Sequence, residues 1–472
     1  MPSRDIALMA HLMRRAGFGA SYEELEARAS KGYEATVEEL LDPEAHGIPG
    51  VDLHMFHRYH PLAEAEASTE KSSLTFMYYL LTTQRPLEEK MTLLWHMIFA
   101  TGNAKVENSR ELTGQLDTFR KYGMGSYKQL LVKLSKDPAM IFWLDNNENH
   151  KTAVNENWGR ELLELFSMGQ GNYTEDDVRE ASRAFTGWTI KPKLPKDPFL
   201  CLDTWEFLYL PQDHDNGQKT FLGHTGRFNG EDIIDIIVQQ PATARFVARH
   251  LYNFFVADEI QVPSWKDEAP RDPGAVDAIA ETFVNSSYDI RSTLRFIFNS
   301  DFFKDESAWF ARVKSPAEIV AGTARLTGSY KSMRPGMLGL ALECGYQGQE
   351  LTNPPSVEGW HFGQEWIDTG ALIRRVNFMA DTLSDAATPG IDAIINRLAE
   401  KHSFTPAELI DACLELLGCV RLGQNTHDEI MSHMQADQVI PRGSTAEERA
   451  AFGRRVVDVL QLIAATREYQ FC

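Results

Sequence analysis

The chain has 472 residues, 43% apolar and 24% charged, the balance of a protein that buries a core rather than one that stays disordered. Its 67 acidic against 47 basic residues leave a formal charge of −20, which argues against nucleic acid as a main partner and disfavours anionic membrane surfaces, since both need a basic field. Cys201, Cys344, Cys413, Cys419 and Cys472 are too few and too scattered for a disulfide framework, and the absence of a CxxC pair argues against structural zinc.

The opening MPSRDIALMAHLMRRAGFG has no uninterrupted apolar stretch and no small-residue cleavage site. With no run of about 18 apolar residues anywhere, the expectation is a reduced, cytoplasmic, soluble protein without a membrane span. A helix is expected over residues 5–16, with Ile6, Leu8, Met9, Leu12 and Met13 turned inward and Arg14 and Arg15 suited to its negative end. Ser21 with Glu24 opens a second helix. Residues 44–70 read as irregular. They hold His54, His57 and His60 at three-residue spacing but no carboxylate frame, so a surface segment is favoured over a metal site. From 72 to 100 the pattern is helical and increasingly apolar. His96, inside LLWHMIFA, is expected to be buried and neutral, a core histidine bonded to a carbonyl or carboxylate. Helices over 109–122 and 126–135 follow, then a short one opened by Asp137-Pro138, then the polar run 145–157.

The stretch NENWGRELLELFSMGQGNYTEDDVREASRAFTGW, Asn155 to Trp188, reads as two helices joined by a glycine turn and concentrates the most polar chemistry. At about 100° per residue, Glu156, Arg160 and Glu164 form one row and Asn157 and Glu161 the next, with Trp158, Leu162, Leu165 and Phe166 opposite. Gly169 and Gly171 suit a left-handed helix end, and Thr174 with Asp177 resembles a capping box. Arg160 is expected to be buried against Glu161 or a distant carboxylate.

Four prolines and the alternating TWEFLYL mark residues 189–225 as a small β-rich excursion, which ends where His214, Asp215 and Lys219 surround a glycine turn. Helices resume at 230–239, and Pro241 takes a first-turn position. The segment Asn353–Phe378, NPPSVEGWHFGQEWIDTGALIRRVNF, brings Trp360, Trp366 and then Arg374 and Arg375 on a helix; ordinary amphipathic helices run from about 390 onward. The fold class is mainly α: a helical half over 1–188, the insertion 189–225, and a helical half over 226–472 packed with the first as one unit. No phosphate loop, nucleophile elbow or dinucleotide fingerprint occurs in the sequence.

Taken together, HLMRRAGFGAS, LLWHMIFA, DPAMIFWLDN, the Asn155–Trp188 block, HDNGQKTFLG, KSPAEIV and the Asn353–Phe378 segment resemble, in order and over nearly the whole chain, the bacterial family catalogued as domain of unknown function number 1800. The resemblance carries no agreed catalytic residues. It implies one partner, a co-encoded protein of a second family, number 1501, which is similar to sulfatases and usually exported. Some members of the first family carry an export signal, so export in an unprocessed or partner-assisted form stands beside the cytoplasmic expectation.

Two classes of function fit these residues. In the first, the chain is a hydrolase or lyase on a polar, carbohydrate-like substrate. Glu161 and Glu164 would be the acid–base carboxylates, and His96 or His214 a proton partner. Arg160, Asn157, Asp215, Lys219, Trp360, Arg374 and Arg375 would hold the substrate, the two last arginines clamping an anionic group. No metal and no cofactor is called for. Chemistry of this kind requires His96, Arg160, Glu161, His214 and Arg374 to approach a common cavity. In the second class the chain is a non-catalytic scaffold or partner of the co-encoded sulfatase-like protein, and the charged rows stitch helices together.

Overall fold

A computed structural model describes residues 3–59, 70–193, 204–260, 264–434, 439–443 and 445–472. Helix dominates, and what starts many of the helices is local chemistry. Ser3, Ser21, Asn108, Ser126, Asp137, Thr174, Asp289, Ser315 and Thr405 each accept a first-turn backbone N–H. Proline supplies the first-turn position of the helices Pro86–Ile98, Pro138–Trp143, Pro241–Phe255, Pro316–Leu326 and Pro406–Leu416. The expected helices over 109–122 and 126–135 are Ser109–Tyr122 and Tyr127–Ser135. The long helical pattern over 72–100 is two helices, Lys71–Thr82 and Pro86–Ile98. Pro86 lacks the N–H to continue a ladder and pushes Arg85 out of the helical region, to φ −112° and ψ 67°.

The β excursion is present as two hairpins. Trp188–Pro192 pairs antiparallel with Trp205–Tyr209 in the register Trp188 to Tyr209, and Lys219–Phe221 pairs with His224–Gly226. A third, very short pair joins Ser403–Phe404 to Ile440–Pro441, where only helices were expected. The segment over 44–70, read as irregular, contains the helix Leu53–Tyr59. Its formation follows from docking: Phe56 is buried and packs on Tyr78, whose hydroxyl donates to the Asp52 carbonyl at 2.8 Å. His54 and His57 face outward on this helix, His60 lies outside the described residues, and no group of side chains among the described residues is placed to hold a metal ion. No helix among the described residues is long and apolar enough to cross a membrane.

The apolar core runs from Ala7 to Tyr469 as a contiguous cluster, drawing on helices before and after the hairpins. A satellite of Val106, Leu112 and Ala139 packs under Phe142 and Trp205. The central pair, Asn157–Glu164 and Glu175–Ala184, buries Trp158, Leu162 and Leu163 from the first helix and Val178, Ala181 and Ser182 from the second. The two helices approach so closely that a Cβ on Gly159 would stand 2.2 Å from Ser182 Oγ. The polar run before them works as a brace. Buried Asn149 donates to the Ser182 carbonyl at 2.9 Å and accepts from Asn155 N–H at 3.0 Å, while Asn146 donates to the Trp188 carbonyl at 2.8 Å.

Candidate functional site

His96 sits where the Pro86–Ile98 helix meets the segment after Leu351. Its Nε2 accepts the Thr352 N–H at 3.0 Å, which places the proton on Nδ1. It therefore receives a bond from backbone rather than giving one to a carbonyl or carboxylate, as the sequence reading supposed. Burial alone lowers its pKa to about 3, so the ring is neutral at ordinary pH. The Thr352 carbonyl takes Asn103 N–H at 3.0 Å and Asn353 Oδ1 takes Ala104 N–H at 2.9 Å. His96 thus anchors the start of the NPPSVEGWHFG stretch. Further along, Gly359 has φ +83°, and a Cβ there would meet the Met97 carbonyl at 2.3 Å. That contact lays Trp360 edge-on against His96, ring centroids 5.3 Å apart.

A small crevice opens beside this contact. Met97, Leu165, His250, Trp265, Glu358 and Trp360 are among its walls, and its closed volume of about 30 Å³ takes a water or one functional group. Leu165 lies one helical turn after Glu161 on the same face of the central element. Glu161 is half-buried, and no hydrogen bond or ion pair to its carboxylate is found among the described residues. Burial first, then the negative charges of Glu164 and Glu358, push its pKa up to about 7 against the opposing pull of Arg160. Glu164 is the oriented partner: Tyr173 Oη donates to it at 2.8 Å and the Gln170 amide donates to its other oxygen. His250 borders the crevice with Nε2 unpartnered; burial, with Arg249 adding, lowers it to about 3.

The other nominated residues disperse. Arg160 is not buried against Glu161. Its guanidinium is about one-third exposed and holds Glu175 at 2.7 and 2.9 Å and Glu156 at 3.3 Å. Arg160→Ala is accordingly expected to cost under about 1 kcal/mol in a denaturant melt, because water screens such pairs. Asn157 is exposed and its backbone N–H is capped by Asn155 Oδ1 at 3.0 Å. His214 and Asp215 lie in the loop that leads into the strand opened by Lys219, against the second central helix rather than in the crevice. His214 Nδ1 donates to the Thr186 carbonyl at 3.0 Å, Asp215 pairs with Arg183 at 2.7 Å, and Lys219 Nζ donates to the Asp215 and Gly217 carbonyls.

Arg374 and Arg375 do not form a clamp. Neighbours on a helix point about 100° apart, and these two go to different places. Arg374 reaches outward to Glu343 at 2.8 Å. Arg375 is fully buried and donates to the Lys314 carbonyl at 2.7 Å, Gln470 Oε1 at 3.0 Å and the Trp366 carbonyl at 3.2 Å. Of the five groups expected to converge, His96 touches Trp360 and Glu161 feels the charge of Glu358, two residues of one segment, but neither is itself a wall of the crevice, and Arg160, His214 and Arg374 are each satisfied elsewhere.

Sequence reasoning passed over a second region. Arg15, assigned above to a helix-end charge effect, is fully buried and donates to the Val256 and Ala308 carbonyls at 2.9 and 2.8 Å. Beside it Glu318 receives Arg312 at 2.6 and 2.9 Å together with Lys90, all three almost completely shielded from solvent. A cleft of about 610 Å³ lies over this cluster, lined by Arg14, Phe18, Lys314, Glu318, Arg325 and Cys472, among others. The signal in the sequence was spacing: Arg15 falls three and four residues after Leu12 and His11, on the helix face that is buried.

These features define a mainly α-helical protein with small antiparallel hairpins, a small crevice beside Trp360 and a larger cleft over a buried ion cluster. The chain belongs to the family described as Protein of unknown function (DUF1800), whose model matches residues 11–471. No curated protein and no solved structure was found to match it.

Proposed function

We propose that the chain is a hydrolase or lyase acting on a polar, carbohydrate-like substrate, with Glu161 as the group that gives or takes the proton. The observation that carries this reading is one uncommitted, half-buried carboxyl with a pKa near 7, standing beside a second carboxylate fixed by Tyr173 and Gln170. A proton carrier works best when its pKa lies near the working pH, and a carboxylate pair pushed apart in environment is how one acid and one base coexist. The crevice is too small for a sugar ring, so the substrate body rests on the rim formed by Ile260, Glu358 and His361 and only the reacting group enters.

The test uses chromogenic glycosides and polar esters with wild type and Glu161→Gln. Wild type is expected to turn over a member of the panel with a pH limb near 7, and the folded variant to lose about 10²–10⁴ of that rate. Turnover that survives in the variant overturns the reading. A melt series supplies the second measurement. Glu161 has a folded pKa above its ordinary 4.5, so the fold favours the protonated form and pays a penalty that grows as pH rises from about 4.5 through about 7. Glu161→Gln is expected to be more stable than wild type by about 1–2 kcal/mol above pH 7, after allowance for solvent screening, and equal to it below pH 4.5.

A second reading, a scaffold or partner of a co-encoded family 1501-like, sulfatase-like protein, is favoured by a different observation. Arg160, Asp215 and Arg374 are each spent in ion pairs within the chain, and Tyr346 and Ile373 flank the Arg374–Glu343 pair with 63% and 59% of their surface exposed. Absence of turnover across the panel, with co-purification of the two proteins lost in Ile373→Glu, supports this reading over the first.

A further inference from the structure

The cleft over the buried ion cluster gathers the cations Arg14, Lys314 and Arg325 on walls that also carry Glu23, Glu24 and Glu318. Arg14 Nη1 donates to the Gly418 carbonyl at 2.5 Å and its guanidinium lies 4.3 Å from the centre of the Phe310 ring. Its Nε is buried without a partner. Lys314 Nζ donates to the Tyr469 carbonyl at 2.7 Å and lies 4.1 Å from the centre of that residue's ring. Arg325 is held by the carbonyls of Leu80, Leu81 and Thr83. All three cations are thus held by backbone carbonyls, and none is ion-paired to a carboxylate among the described residues.

Carbonyls satisfy donors but do not cancel charge, and a cation removed from bulk water without a counter-charge is costly. Of the carboxylates lining the cleft, Glu318 is already taken by Arg312 and Lys90, and Glu24 by Arg28. Behind Arg14, fully buried Arg15 keeps Nε and Nη1 unpartnered. Burial lowers the Lys314 pKa to about 7, with Arg14 and Arg375 adding to the effect and Cys472 and Glu318 opposing it. The volume, about 610 Å³, lies within the range of about 300–1,000 Å³ typical of small-molecule sites. The two chain segments that bring Arg14 and Lys314 here, HLMRRAGFGAS and KSPAEIV, take no part in the Glu161 crevice.

We propose that this cleft is a second ligand site, separate from the Glu161 crevice, which takes a small organic anion: a carboxylate or phosphate head between Arg14 and Lys314, and an uncharged body along Phe18 and Ile319. A guanidinium with a free Nε–H and an ammonium suit either oxyanion head, and the bound charge replaces the missing counter-ion.

Titration calorimetry on the full chain, at constant ionic strength in chloride, tests this with inorganic phosphate, benzoate and uncharged benzyl alcohol. Phosphate or benzoate is expected to bind, the tighter of the two identifying the head group, and benzyl alcohol to bind at least tenfold more weakly than benzoate. Lys314→Gln is expected to weaken the better anion by about tenfold or more, a factor worth about 1.4 kcal/mol. Failure of both anions to bind, equal binding of benzyl alcohol and benzoate, or unchanged anion affinity in a folded Lys314→Gln protein overturns the proposal. Should that variant not fold, wild type alone decides: acetylation of Lys314, followed by peptide mass spectrometry, is expected to slow when the better anion is present, and an unchanged rate at saturation overturns the site.

Discussion

Glu318→Gln is expected to cost about 3–5 kcal/mol at neutral pH, a large share of the stability of any domain. The carboxylate caps its own helix, accepting Ser315 N–H at 2.7 Å, and receives Arg312 through both terminal nitrogens of the guanidinium and Lys90 through its ammonium. Lys90 and Arg312 are 0% and 1% exposed, so removing the shared charge strands two cations where water does not reach. The size of the effect comes from that stranding rather than from any large net worth of the triad, since a well-packed apolar replacement of all three would come close to neutral. Burial on its own would raise the Glu318 carboxyl; Arg312 and Lys90 outweigh it and hold it at about 2. A folded pKa below the ordinary 4.5 gives stability that is present above about 4.5 and lost as pH falls through about 2. Melting midpoints of wild type and variant should therefore differ most near neutrality and converge toward pH 2. Lys90→Met combined with Glu318→Gln should recover part of the loss, because a single stranded cation remains. Equal midpoints for wild type and Glu318→Gln at pH 7 would contradict the burial of the triad.

Arg249→Ala is expected to cost a comparable 3–5 kcal/mol, again roughly, and to act on the crevice as well as on stability. Arg249 is 5% exposed and pairs with Glu259 at 2.7 and 2.9 Å; it also donates to the Glu268 carbonyl at 2.9 Å and the Ala269 carbonyl at 3.2 Å. Its guanidinium lies 4.6 Å from the centre of the Trp265 ring. Glu259 in turn receives Arg271 N–H at 2.7 Å. One side chain therefore ties the loop bearing Trp265, a wall of the crevice, to the Pro241–Phe255 helix. Loss of it leaves Glu259 buried without its counter-charge and the Trp265, Glu268 and Ala269 carbonyls without their donor. Denaturant melts should show the midpoint drop, and backbone amide exchange over 265–271 should rise beyond the change seen elsewhere. Glu259→Gln, which keeps the shape and removes the charge, should reproduce the stability loss but release the loop less. Unchanged exchange over 265–271 in Arg249→Ala would refute the tethering role.

Much of the helical frame was legible in the residues themselves. Asp137-Pro138, Thr174 with Asp177, and Pro241 each announce a helix start, and the helices begin at Pro138, Glu175 and Pro241. Gly169 and Gly171 do take the left-handed backbone expected of them, at φ 77° and 85°. Burial of His96 followed from its apolar neighbours. Misses occurred where tertiary docking creates the element: the helix around Phe56 and the pairing of Ser403–Phe404 with Ile440–Pro441 need partners that no local window contains.

The sequence by itself determined that this protein is mainly helical and that hairpins interrupt it after Trp188. Those properties come from periodicity, caps and turn residues, which act over a few neighbours. Only the tertiary structure decided which charges are exposed and which are buried. Arg160, on the most polar row of the chain, meets water and Glu175, whereas Arg15, Lys90, Arg312 and Arg375, in ordinary-looking helices and turns, are sealed inside. Lys90 and Glu318 reach one another across 228 positions, and Glu161 feels Glu358 from a segment equally foreign to its own helix. A side chain's dielectric surroundings and counter-charges belong to the folded neighbourhood rather than to the residue, so spacing can nominate a carboxylate or a guanidinium but cannot assign it a pKa or a partner.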